Sequence, residues 1–185
     1  MREDIKAGSR LGGQARAPIG LADNTVVHGH WHLLAWDENG HLVREDAWDN
    51  LVVDEGLNHI LSVVLAGGTQ ITSWYIGLTD GSPTTAAGDT MGSHSGWTEV
   101  TAYSETNRQD WVAGSVGSQS VDNSGSKASY SIDTDSKTIG GAFLVSDNTK
   151  GGTSGTLYSV GAFSGGDLTL NSGSTLDVTA TFTTS

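Results

Sequence analysis

From Ile71 to the last residue, apolar side chains alternate with polar ones, and Gly, Ser, Asn and Asp break the pattern into short runs. A chain written this way is confined to short strands with one face buried. The runs fall at residues 71–79, 97–104, 110–116, 127–133, 138–146, 156–164 and 175–184. Their inward candidates are Trp74, Ile76 and Leu78; Ile139, Phe143 and Val145; and Leu176, Val178, Ala180 and Phe182. Seven strands punctuated by turn residues predict an all-β fold, a β-sandwich or jelly roll. Outward positions are largely Ser and Thr, which keeps the sheets wet with few charges. With 185 residues the chain has room for one ordinary domain and an appendage.

Upstream of these strands, residues 25–36 and 41–53 flank Asp37-Glu38-Asn39-Gly40, a turn with glycine available for positive φ, and predict a β-hairpin. On its first strand Val27, Trp31, Leu33 and Ala35 share one face, while His28, His30, His32, Leu34 and Trp36 share the other. Both faces carry bulk, so both are expected to be covered. One helix is predicted at residues 54–66, with Asp54 as N-cap and Leu57, Ile60, Leu61, Val64 and Leu65 forming a stripe that Gly67-Gly68 ends. The stripe implies that the helix covers a sheet. Residues 1–24 show no helical or strand period and read as an extended arm. The organisation is thus an arm (1–24), a hairpin (25–53) and a helix plus β-body (54–185).

The formal charge is −12, from 21 acidic and 9 basic residues, and it is unevenly placed. Residues 1–22 hold Arg2, Lys6, Arg10 and Arg16 against Glu3 and Asp4, a net +2, so the remainder carries −14. A body this acidic repels nucleic acid, whose binders neutralise phosphates with Lys and Arg. The absence of cysteine excludes disulfides, thiol catalysis and Cys-ligated metal. No secretory signal and no membrane-spanning run is read, so synthesis in a cytoplasm and no membrane partner are expected.

His28, His30 and His32 alternate on one strand face with neighbours about 7 Å apart, so two of them could share a metal and His41 from the return strand could supply a third ligand. No Asp or Glu sits beside them in sequence, and no metal or other cofactor is favoured. Gly92-Ser93-His94-Ser95-Gly96 lacks the spacing of a nucleophile elbow. The Asp-rich segments 133–137 and 147–152 lack the full ladder of a calcium loop and read as turns. No catalytic constellation is found, and the chain is not expected to be an enzyme.

Several blocks resemble a family of structural proteins from tailed-bacteriophage virions. They are Asn50-Leu51-Val52-Val53 with Gly56-Leu57-Asn58; Trp74-Tyr75-Ile76-Gly77-Leu78; Ala86-Ala87-Gly88-Asp89-Thr90-Met91-Gly92-Ser93-His94-Ser95-Gly96-Trp97-Thr98-Glu99; Tyr103, Arg108 and Trp111; and Ser146-Asp147-Asn148-Thr149-Lys150-Gly151-Gly152-Thr153 with Gly155 and Leu157. The resemblance spans roughly residues 50–165, outside the arm and the His-bearing hairpin. It implies a decoration (cement) protein or head fibre located in the virion, at the capsid surface, with the major capsid protein and further copies of itself, as a homotrimer, for partners. In this reading the arm clamps neighbouring capsid subunits through Arg2, Ile5, Lys6, Arg10, Leu11, Arg16, Ile19 and Leu21. The alternative is a tail or head fibre adhesin, in which the loop 80–96, Tyr103 and Tyr158 stack on host-surface carbohydrate. Trp74, Trp97 and Trp111 fit a core role at least as well.

Overall fold

The computed structural model describes residues 27–185. The chain is all-β with one short helix, and its strands form a curled antiparallel sheet. The predicted hairpin is present as β1 (Val27–Trp36) and β2 (Leu42–Val52), followed by α1 (Asp54–Leu65). The remaining strands are β3 (Tyr75–Thr79), β4 (Gln109–Asp110), β5 (Ser120–Asp122), β6 (Ala128–Ser131), β7 (Lys137–Ile139), β8 (Gly141–Val145), β9 (Leu157–Ala162), β10 (Leu168–Leu170) and β11 (Thr175–Thr184). Nine of them share a sheet in the order β4-β3-β8-β9-β2-β1-β11-β5, with β6 also on β11, and β10 and β7 pair separately.

β11 pairs with β1 along its full length and on its other edge receives β6 at Thr175–Val178 and β5 at Thr181–Thr183. Asn123 fills the gap between those two short strands. Fully buried, its Oδ1 accepts from the Ala180 amide at 2.7 Å and its Nδ2 donates to the Val178 carbonyl at 3.3 Å. A side-chain amide thereby replaces the missing ladder bonds. The sheet curls until β6 meets β3, where the Tyr130 hydroxyl donates to the Ile76 carbonyl at 2.7 Å.

The main core lies inside the curl. Trp31, Leu33 and Ala35 of β1, Ile76 and Leu78 of β3, and Leu176, Val178, Ala180 and Phe182 of β11 are all buried there. A second core lies on the opposite side of β8 and β9, where Phe143, Val145, Leu157 and Val160 are covered by Met91 and Trp97 from the long segment between β3 and β4. Phe143 and Val145 therefore face away from Ile139, which belongs to the main core, and not alongside it as the alternation predicts. Every residue of β8 is buried, which a strand covered on both sides requires.

Two predicted strands are not formed. Residues 97–104 and most of 110–116 are irregular, holding only the single bridges Thr79↔Glu99 and Tyr103↔Ile132 and the two-residue β4. Trp97 reaches the second core while Val100 and Tyr103 reach the main one, so the segment crosses between layers and cannot run as a ladder. β5 and β10 arise where no strand is predicted.

Asp46 anchors the turn after β9 onto β2. Its carboxylate accepts from Arg44 Nη2 at 2.6 Å, the Gly165 amide at 3.0 Å and the Ser164 hydroxyl. Burial pushes this carboxyl up, but hydrogen bonds from Ser164, Arg44 and Gly165 together outweigh it and hold it below the usual range. A carboxyl depressed on folding stabilises the fold above its unfolded value, near pH 4, and that contribution fades as pH falls through the folded value. Asp46→Asn is accordingly expected to be less stable than the parent in urea at pH 7, with the difference narrowing at pH 3. A difference independent of pH would contradict this.

Candidate functional site

The described residues begin at Val27. The arm residues Arg2, Ile5, Lys6, Arg10, Leu11, Arg16, Ile19 and Leu21 lie outside the described residues. Around Val27 the start of β1, the end of β2, α1 and the end of β11 come together.

β1 alternates as predicted, with Gly29, Trp31, Leu33 and Ala35 buried and the histidines on the opposite face. That opposite face is not covered: His28 and His30 are exposed and His32 is half-buried. The histidines also have acidic neighbours that sequence adjacency does not reveal. Hairpin register sets His30 opposite Asp49 and Leu34 opposite Glu45. His30 Nδ1 lies 3.0 Å from Asp49 Oδ1, and His32 Nε2 lies 2.9 Å from Glu45 Oε1. His28 Nε2 faces Ser185 Oγ at 3.2 Å, while His41 sits at the hairpin tip with Nδ1 3.2 Å from Asp37 Oδ2. The structure thus gives each histidine a separate partner and separates His41 from the other three. Among the described residues no group of three or more His, Asp or Glu side chains is disposed to hold a metal. His30 and Asp49 are 59% and 89% exposed, so this pairing adds at most about 1 kcal/mol of stability.

Two grooves flank Val27. One, of about 580 Å³, is lined by His28, His30, Asp49, Asn50 and Leu57 among others. At its floor Gly29 is required by close approach, since a Cβ there would stand 1.8 Å from Asn50 Oδ1. The Asn50 amide itself has no hydrogen-bond partner within the described residues. The other groove, of about 250 Å³, is apolar and lined by Ile60, Val116, Val121, Tyr158 and Phe182. One side therefore offers polar groups to a peptide backbone and the other offers apolar area.

α1 differs from its prediction in two ways. Val53 occupies the cap position in extended conformation, and Asp54 is already helical and makes no capping bond. The helix is held to the sheet by its first turn: the Leu157 amide donates to Glu55 Oε2 at 2.7 Å, and Gly56 lies so close to β9 that a Cβ would meet the Tyr158 carbonyl at 2.5 Å. Gly56 is the helix's only buried residue. The predicted apolar stripe consequently faces outward, with Leu57, Leu61, Val64 and Leu65 exposed.

The aromatic side chains named for carbohydrate stacking are not surface groups. Tyr103 is fully buried, its phenol pushed up by burial first and then by the Glu99 charge, with the Lys150 ammonium 4.3 Å from its ring. Tyr158 is half-buried against Trp74 and Phe182, and burial pushes its phenol up to about 12. Trp97 is buried between His94, stacked at 3.7 Å, and Phe143. Trp111 packs against Phe182 and donates its Nε1 to the Ala180 carbonyl at 3.0 Å. In the two segments that superficially suggest calcium loops, Asp147 accepts from the Thr149 amide and Asp135 from the Ser172 amide, as turn residues do.

One buried polar cluster has no counterpart in the sequence reading. Arg108, with a fully buried side chain, donates from Nε and Nη2 to the two Glu99 oxygens at 2.9 and 2.7 Å. It also donates to the carbonyls of Asp147 and Gly152 at 2.8 and 2.7 Å and lies 5.2 Å from the Phe143 ring centre. Glu99 in turn accepts from the Gly151 amide at 2.9 Å. A single guanidinium thus ties together the segments around Glu99, Arg108 and Asp147–Gly152. The available sequence signal is that Arg108 is the only cation between Arg44 and Lys127, set among aromatic residues. No protein-family model, no curated protein and no solved structure matches this chain.

Proposed function

We propose that the chain is a structural component of a bacteriophage virion, a decoration protein that binds the outside of the head as a homotrimer and clamps major capsid subunits through its N-terminal residues. The observation that carries this reading is the division of charge. Residues 27–185 retain 18 of the acidic and 5 of the basic residues, a net −13, whereas four of the nine cations precede them. A cationic segment attached to an anionic body repelled by its own kind is suited to holding other proteins, and it joins between a polar and an apolar groove. The blocks that resemble virion proteins support the same assignment. Ordering an arm costs about 1–2 kcal/mol per residue in backbone entropy, so Ile5, Leu11, Ile19 and Leu21 must find apolar or strand-pairing contacts beyond ion pairs.

Deleting residues 1–22 is expected to leave circular dichroism and unfolding midpoint close to those of the parent while abolishing co-sedimentation with undecorated heads. Undiminished binding by the deleted protein would overturn the clamp. Of the residues named for the adhesin alternative, Tyr103 is buried and Tyr158 half-buried, which favours the decoration reading, while most of the loop 80–96 is exposed.

A further inference from the structure

We propose that the outward face of α1 is the surface through which one copy of this chain binds another. Leu57, Leu61, Val64 and Leu65 stand at i, i+4, i+7 and i+8, a continuous stripe, and are 37%, 55%, 70% and 78% exposed. Val116, 78% exposed, lines with Ile60 the apolar groove beside the helix. Soluble chains rarely leave so large an apolar patch open to water. The stripe is not turned outward by a weak attachment, because Glu55 and Gly56 fasten the opposite side of the helix to β9.

Charge identifies the occupant. No Asp, Glu, Lys or Arg occurs in residues 56–79, 111–121 or 178–185, and the two carboxylates of α1, Asp54 and Glu55, lie in its first turn, at the other end of the helix from Val64 and Leu65. Elsewhere two copies, each of net charge −13 over residues 27–185, meet with like sign. Along the outward stripe of α1, two copies can approach with little of that repulsion. An apolar stripe on a helix also packs against copies of itself about a threefold axis, as the seams of three-stranded coiled coils do, which suits the homotrimer proposed above. The stripe itself offers no carboxylate to the cations of residues 1–22. An anionic lipid surface would repel the body around it.

The inference rests on the self-association part of the proposed function and not on head binding. Sedimentation equilibrium of the full chain at micromolar concentrations is expected to give a mass above that of one chain. Val64→Glu combined with Leu65→Glu should raise the dissociation constant at least about tenfold with unchanged circular dichroism, since both positions are exposed. The chain has no cysteine, so Val64→Cys provides a second measurement. Its oxidation should yield a covalent dimer, whereas Glu38→Cys at the far tip of the hairpin should not. A monomeric parent chain, an undiminished mass in the double variant, or equal cross-linking at the two positions would overturn the proposal. A chain that associates through α1 and yet ignores heads would sink only the head-binding reading.

Discussion

Replacing Arg108 with methionine is expected to destabilise the fold by about 3–5 kcal/mol, the cost of removing one partner from a buried ion pair. The Glu99 side chain is 6% exposed and would be left as a buried charge with the Gly151 amide as its remaining donor. The carbonyls of Asp147 and Gly152 would lose their donor as well. Arg108→Lys should recover little, because an ammonium cannot span both Glu99 oxygens and two carbonyls in one plane. Arg108→Met with Glu99→Leu should recover more than either single change, since it removes the stranded charge along with the pair. Urea unfolding of the parent and the four variants, Glu99→Leu alone included, decides the matter. A shift below about 0.5 kcal/mol for Arg108→Met, the range of an ordinary surface change, would show that the cluster is ornamental.

Trp31→Ala should cost a comparable 3–5 kcal/mol or so, the range for truncating a large buried aromatic. Trp31 has no exposed surface and lies 6.1 Å from Trp48, stacked, and 6.4 Å from Phe182, edge-on. Those rings come from the two neighbouring strands, so the indole joins β2, β1 and β11 at the centre of the curl. For a chain of this size about 2–4 °C of melting temperature accompanies each kcal/mol, so a fall of roughly 10 °C is expected by calorimetry. Trp31→Phe should lose less than half of that. Equal losses for the two variants would mean that the strand, and not the packing of the ring, is what the substitution disturbs.

Where one face of a strand meets water and the other meets the core, composition alone reveals the structure. Leu176, Val178, Ala180 and Phe182 of β11 are all buried, and so are Trp31, Leu33 and Ala35 of β1. The reading fails where that asymmetry fails. β8 is covered on both sides, so no period marks which of its residues faces which core. Residues 97–104 alternate and yet cross between two layers. For α1 the extent is legible but the buried side is not, because glycine at position 56 admits the β9 backbone and decides the orientation against the hydrophobic pattern. At the candidate site, the partners of His30 and His32 come from strand register and not from sequence adjacency. The Arg108 cluster joins residues 9, 39 and 44 positions away, distances at which local spacing carries no information.

The pairing of β1 with β11 bears on how the molecule comes to be folded. It joins residues 27–36 to residues 175–184, and β5 and β6 can dock only onto a β11 already in place. Closing so long a loop must precede most of its reward, and folds dominated by such contacts form in milliseconds to seconds and not in microseconds. The hairpin of β1 and β2 can form early, but one edge of β1 stays open until β11 arrives. During that interval the chain is most prone to pair wrongly with a neighbour, and the repulsion between anionic bodies serves as protection in the nascent protein.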